Sequence, residues 1–263
     1  MGLIPKIIHQ IWFQGEDQIP DKYLTNRKLW LDTHSDWQYI LWDQSAIEKL
    51  IQQQYSHLWN TYQSFTFMHQ KIDFFKYIIL YHQGGIYVDI DAKPIQKLDK
   101  LFDDLFPRST FLVSKCKYDW LESKVLTGYS TIINNGIIAA APKHRFLLQI
   151  LNYVNNLEID KMKMPKELLI NKTTGPIMVT QMYFQAESEI QNQVTVLKHQ
   201  YFEPCYPFEF RCQYTEKTFI DHQHELTWVG KPLKVLLKIY LFLKRYKWIV
   251  LTTLILFIFA RFQ

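Results

Sequence analysis

The stretch KIDFFKYIILYHQGGIYVDIDAKP, Lys71 to Pro94, decides the fold class. With Met68 just upstream, Ile72, Phe75 and Ile79 recur at helical spacing, which predicts a helix from about Phe67. Gly84 supplies its C-terminal cap. Ile86 to Ile90 then reads as a strand ending in Asp89-Ile-Asp91. Side chains alternate along a strand with a period of two, so the two carboxylates are expected to point the same way. In open α/β sheets, ligands bind beyond the carboxyl ends of strands. Glycine is scarce, 8 in 263 residues, so the adjacent Gly84 and Gly85 need a structural reason.

Two unpaired carboxylates at a strand end repel each other and lose hydration, so a cation is expected between them and a bound anion. Hard oxygen ligands select Mg²⁺ or Mn²⁺ over zinc. The natural anion is a diphosphate, and the reaction that follows is departure of a nucleoside diphosphate. A bare D-x-D also occurs in solvated turns. Here the Gly-Gly, the apolar strand and the exit at Lys93-Pro94 set it apart. Aspartyl phosphatase strands end in D-x-D too, but they carry Thr or Val two residues past the second Asp. Lys93 stands there in this chain and disfavours a phosphohydrolase.

Outward from this stretch, Pro5 to Phe13 reads as an opening strand, Asp21 to Leu31 as a helix after Pro20, and Gln38 to Trp42 as a short buried strand. Ser45-Ala-Ile-Glu48 has the form of a capping box for a helix reaching about Tyr55. Strands follow at Phe111–Ser114, Ile132–Ala140 and Val194–Leu197. Helices are expected from about Lys143 to Asn155 and after Gly175-Pro176. Alternating strands and helices imply an α/β sandwich with a mostly parallel central sheet. With no repeat, low-complexity stretch or Pro/Gly-rich linker before residue 230, the chain divides into one domain, 1–230, and a C-terminal segment, 231–263.

Composition narrows the class. At 48% hydrophobic and 21% charged, the chain is not intrinsically disordered, and a net charge of +5 is too weak and scattered to signal nucleic acid. Three cysteines, Cys116, Cys205 and Cys212, make neither a disulfide framework nor a zinc pattern. Buried free thiols are expected, with a Cys205–Cys212 bridge as the other state.

Much of the positive charge lies in Lys231, Lys234, Lys238, Lys244, Arg245, Lys247 and Arg261. Leu233 to Leu243 sets lysines beside leucines in the manner of a helix lying on a membrane surface. Trp248 to Ala260, WIVLTTLILFIFA, is an uninterrupted apolar run. As a helix it covers roughly 20 Å, against ~30 Å of hydrocarbon, a marginal span. Membrane attachment through the C-terminus is expected, spanning or lying flat. The cluster Lys244, Arg245, Lys247 favours a cytoplasmic domain, with the Golgi or ER lumen as the alternative.

Five blocks in order carry a resemblance: Ile4 to Trp12 (IPKIIHQIW), Asp73 to Asp91, Asn134 to Pro142 (NNGIIAAAP), Thr174 to Thr180, and His222, His224 and Trp228 in H-x-H-x-x-x-W. From Ile4 to about Trp228 the chain resembles the glycosyltransferases with a DXD sugar-binding region, family 32. That family includes yeast outer-chain α-1,6-mannosyltransferases and inositol-phosphorylceramide mannosyltransferases and, more distantly, large clostridial glucosylating toxins. The resemblance implies a GT-A fold and metal-dependent, retaining transfer of a hexose (mannose, glucose or galactose) from a UDP- or GDP-sugar. The acceptor inferred from membrane location is a lipid or glycan. Asp91 would hold Mn²⁺ or Mg²⁺ directly, and Asp89 would contact ribose and, through water, the metal. These two are the catalytic candidates. Asp73 would hydrogen-bond sugar hydroxyls, and Gln10, Ile11 and Trp12 would cradle the nucleoside. Gly85 and Tyr87 of the DXD block count among the donor-facing residues, and Asn135 is a candidate donor- or acceptor-facing amide.

Lys76 stands one helical turn after Asp73, where the family has Arg. It shares a helix face with Asp73 but offers a point charge instead of a planar fork. This departure motivates a second expectation, a membrane-bound nucleotide-sugar-binding scaffold without turnover. A C-terminal His is expected to return to the metal, His222 or His224, with the choice leaning to His224. Trp228 is a candidate phosphate donor through its indole N–H. His9, on an apolar strand, is expected to be a satisfied core histidine. Tyr201, Phe202, Tyr206, Phe208 and Phe210 either line an acceptor cleft or pack.

Overall fold

The computed structural model describes residues 3–209, 212–227 and 229–246. The strands are β1 (Ile7–Ile11), β2 (Gln38–Trp42), β3 (Gly85–Val88), β4 (Ala92–Pro94), β5 (Phe111–Lys115), β6 (Ile133–Ala140), β7 (Thr195–Leu197) and β8 (Ile220–His222). The helices are α1 (Asp21–Thr33), α2 (Gln44–Gln54), α3 (Trp59–Ser64), α4 (Met68–Gln83), α5 (Trp120–Thr127), α6 (Arg145–Asn155), α7 (Lys166–Thr173), α8 (Pro176–Gln185), α9 (Ser188–Gln191) and α10 (Lys231–Arg245).

Six strands form one sheet in the order β2-β1-β3-β6-β5-β7. Only β6 runs against the others, so the sheet is mixed and mostly parallel. Strand alternation sorts its two faces. Tyr87, Phe111, Val113, Ile138 and Ala140 point into a core built with α4, α6 and α8. Ile86, Val88, Leu112, Ile137 and Ala139 point into a second core with Trp30 of α1, Phe102, Phe219 and Ile220. β4 and β8 pair antiparallel as a small separate sheet beside the second core.

The glycine pair has its reason here. Gly84 (φ 69°) caps α4, and Gly85 (φ 96°) starts β3 at once. A Cβ on Gly85 would meet the Ile7 carbonyl at 2.5 Å, and one on Gly84 would meet the Ala140 carbonyl at 2.8 Å. Only glycine lets the chain turn from helix into the slot between β1 and β6.

Four expectations need correction. β3 ends at Val88, one residue before the first aspartate. The backbone then turns, with the Asp89 amide donating to Gly136 O (2.9 Å) and the Ala92 amide to Asp89 O (2.9 Å). The common direction of the two carboxylates comes from this turn and not from strand alternation. The N-cap of α2 is Asp43, whose side chain accepts from the Ala46 amide at 2.8 Å, which displaces the Ser45 capping box. β2 lies at the sheet edge, and only Trp42 in it is buried. Cys205 and Cys212 form a disulfide, Cα to Cα 5.4 Å, and Cys116 is the buried free thiol.

The described residues from Leu226 to Tyr246 belong to a second compact unit. Its helix α10 carries five basic and no acidic residues, and Leu233, Leu236, Ile239, Phe242 and Leu243 are exposed on it. Among the described residues, no helix is long and apolar enough to cross a membrane. Trp248 to Ala260 lies outside the described residues.

Candidate active site

The site collects where β3 gives out. The reversed strand β6 brings Asn134, Asn135 and Gly136 alongside the DXD turn, and β8 pairs with β4 to deliver His222. The His222 Nε2 lies 3.4 Å from Asp91 Oδ1 and 3.5 Å from Asp89 Oδ2. Its Nδ1 lies 2.9 Å from Oε1 of the fully buried Glu203. The other oxygen of Glu203 is 2.6 Å from His224 Nε2. The structure thus sets His222, and not His224, against the aspartates. His224 lies against it with its ring tilted by 35°, ring centroids 4.2 Å apart.

Each aspartate is oriented by neighbours of its own. Tyr87 donates its hydroxyl to Asp89 Oδ1 (2.6 Å), and the Glu225 amide donates to Asp91 Oδ2 (3.0 Å). The Asp89 side chain keeps 31% of its surface exposed, the opening of the site toward solvent, against 14% for Asp91. Burial raises Asp89, with Lys76 and His222 opposing it. Burial acts on Asp91 as well, but the facing His222 and the Glu225 amide outweigh it and hold Asp91 below the ordinary carboxylate range. Burial disfavours a charged His222, yet Glu203 and Asp91 raise it well above the ordinary imidazole value.

A second cluster flanks the first. Lys76, 2% exposed, places its Nζ 2.6 Å from Asp73 Oδ1 and 4.9 Å from the Tyr87 ring centre. Asn135 donates to the same Asp73 oxygen (3.1 Å), and Thr174 donates its hydroxyl to the other (3.1 Å). Burial raises Asp73 against the pull of Lys76.

The nucleoside candidates divide. Gln10 is buried and donates to the Asp89 carbonyl (3.3 Å), while Tyr39 donates to the Gln10 side-chain oxygen (2.5 Å). Trp12 lies against Tyr23, ring centres 5.6 Å apart, and its buried indole N–H has no hydrogen-bond partner among the described residues. An unsatisfied buried donor is what a ligand oxygen or ring nitrogen would complete. Ile11 is a core residue. Gly85 serves the backbone approach to β1 described above. Trp228 lies outside the described residues.

His9 has both ring nitrogens engaged: Trp42 donates to Nδ1 (3.2 Å), and Nε2 donates to the Gly84 carbonyl (2.9 Å). Tyr201 packs against Phe106 and Phe219, and Phe202 is fully buried, so these two build core. Phe208 is exposed, and Phe210 lies outside the described residues. Glu203 escaped the sequence reading because nothing periodic surrounds it. Its only local signal is an acid that shares an aromatic, proline-containing loop with Glu209.

Residues 20–112 match the family described as glycosyltransferase sugar-binding region containing DXD motif. Over these residues the chain is similar to the glycosyltransferases that carry this region. It is 29% identical over 188 residues to the Saccharomyces cerevisiae mannosyl phosphorylinositol ceramide synthase CSH1, covering 70% of this chain and 43% of that protein. It is 34% identical over 155 residues to the Schizosaccharomyces pombe inositol phosphoceramide mannosyltransferase 1, covering 58% of this chain and 43% of that protein. The chain therefore spans less than half the length of these curated relatives. In three dimensions it shares its fold with the PaToxG glycosyltransferase, at a TM-score of 0.52 and 17% identity over 72% of this chain and 73% of that one.

Proposed function

We propose that this protein is a glycosyltransferase that moves a hexose, with retention, from a UDP- or GDP-sugar to a lipid or glycan acceptor at a membrane. The observation that carries the reading is the convergence of Asp89, Asp91 and His222 at the end of β3, their ligand atoms within 4.8 Å of one another. Two carboxylate oxygens and one imidazole nitrogen are a donor set that suits Mn²⁺ or Mg²⁺. Asp91, Asp89 and His222 would hold the ion, which when bound supplies positive charge against the departing diphosphate.

The chain's own residues do the rest. Gln10 ties β1 to the DXD turn, and the free indole N–H of Trp12 is available to the nucleoside. Asp73, held by Asn135 and Thr174, presents acceptor oxygens to sugar hydroxyls. Lys76 adds a fixed positive charge. In this reading the acceptor hydroxyl attacks from the face the diphosphate leaves, and its proton passes to a diphosphate oxygen.

The names of the two yeast relatives support a mannosyl donor and an inositol-phosphoceramide-like lipid acceptor. The basic, apolar-faced α10 supports attachment to an anionic membrane surface. The Cys205–Cys212 bridge supports the luminal alternative for the domain, because disulfides persist in oxidising compartments.

The test is hydrolysis of a panel of nucleotide-sugars by the purified protein with and without Mn²⁺. Metal-dependent turnover abolished in Asp91→Asn is expected, and unchanged turnover in that variant sinks the assignment. The scaffold without turnover predicts no hydrolysis and no metal-dependent thermal stabilisation by nucleotide.

A further inference from the structure

Glu203 is a fully buried carboxylate whose oxygens face two imidazoles, His222 Nδ1 at 2.9 Å and His224 Nε2 at 2.6 Å. Its position is anchored on both sides. The Glu203 amide donates to the His199 carbonyl (2.6 Å), the next carbonyl, Pro204 O, accepts from Lys117 Nζ (2.7 Å), and Cys205 is tied to Cys212. A carboxylate fixed this firmly sets the orientation of whatever ring it holds. An imidazole that donates one N–H to a carboxylate has its tautomer chosen and its other nitrogen left as a lone pair.

We infer that Glu203 is a positioning residue: it accepts a hydrogen bond from the Nδ1–H of His222 and thereby aims Nε2 at the space beside Asp89 and Asp91, where its lone pair would meet a bound cation. His224, packed at a tilt against His222 with its Nε2 2.6 Å from the second Glu203 oxygen, keeps the ring from swinging away. The inference rests on the cation site proposed above.

Mn²⁺ affinity of the full chain, read as loss of the free-ion EPR signal, tests it. Glu203→Gln preserves shape and removes charge, and with an unchanged far-UV spectrum it should bind Mn²⁺ about 10- to 100-fold more weakly. Wild-type affinity in that variant overturns the inference. A second arm needs no variant. In Mg²⁺-loaded wild-type protein labelled with ¹⁵N-histidine, long-range ¹H–¹⁵N NMR should show His222 as the Nδ1–H tautomer, and an Nε2–H tautomer overturns the inference even if Glu203→Gln fails to fold. Asp91→Asn separates the two levels. Wild-type Mn²⁺ binding there overturns the cation site itself, whereas lost binding there beside intact binding in Glu203→Gln overturns only the role of Glu203.

Discussion

Gly136 on β6 lies directly against Asp89: a methyl group at 136 would come within 2.6 Å of Asp89 Oδ2 and 2.6 Å of the His222 ring. The absence of a side chain there is what lets the aspartate and the histidine face each other. Gly136→Ala must therefore push one of them aside. Overpacking of this kind costs about 1–3 kcal/mol. The expected outcome is a folded protein with metal-dependent nucleotide-sugar hydrolysis reduced at least about tenfold, since a small misplacement of catalytic groups costs up to about 10²-fold. Wild-type turnover in Gly136→Ala contradicts the geometry.

Lys76 and Asp73 form a shielded ion pair. Removing the amine in Lys76→Met strands a carboxylate with only the neutral donors Asn135 and Thr174. Breaking one side of a buried pair costs about 3 kcal/mol or more. Urea unfolding should show that loss, and the double variant Asp73→Asn, Lys76→Met should recover much of it. Additive losses in the cycle rule the coupling out.

Acid should destabilise the fold through its histidines. Burial lowers His9, His34 and His144 from 6.5 to about 4. The unfolded chain then binds protons that the native state refuses. Their contribution is complete above about pH 6.5 and is lost as pH falls toward 4, up to about 3 kcal/mol per site. The raised carboxyls of Asp73 and Asp89 act in the opposite sense, so the test compares variants. His9→Gln should flatten the stability profile between pH 7 and pH 4.5 relative to wild type, and an unchanged slope excludes His9 as a contributor.

The Cys205–Cys212 bridge closes a loop of seven-residue separation next to Glu203. Constraint of the unfolded chain by so short a loop is worth about 2–3 kcal/mol. Reduction, or Cys212→Ser, should lower Tm by several degrees and loosen the Glu203 segment, seen as faster amide exchange at residues 203–209. Identical exchange in both redox states shows that the bridge does not hold that segment.

The surface of α10 makes a separate prediction. The full chain should sediment with vesicles containing phosphatidylserine and less with neutral ones. Each basic residue near such a surface is worth about 1 kcal/mol. Lys234→Glu with Lys238→Glu should therefore weaken binding at least about tenfold. Equal binding to neutral vesicles removes the electrostatic part of the proposal.

Much of this could be read from the chain alone. The boundaries of β1, α1, β2, α4, β6 and α8 follow local signals: β-branched runs, helical spacing, Pro20, Gly84 and Gly175-Pro176. The pairing of Asp89 with Asp91, and of Asp73 with Lys76 at one turn's spacing, is likewise written in neighbouring positions. Less was legible where elements are short. β4 and β8 have three residues each, too few to show a period, yet they set His222 in place. Spacing could not decide between His222 and His224 for the same reason, since two histidines two positions apart at the end of β8 differ only in what lies across from them.

Residue type and local spacing were enough to specify the α/β class, the glycine hinge and the acidic turn, because each depends on backbone preferences acting over a few residues. The meeting of Glu203, His222 and Asp91, the Cys205–Cys212 bond and the contact of Gly136 with Asp89 depend on groups 7 to 131 positions apart being folded together. No local propensity encodes such distances. They arise when β6 reverses beside β3 and β8 closes on β4, burying both cores at once.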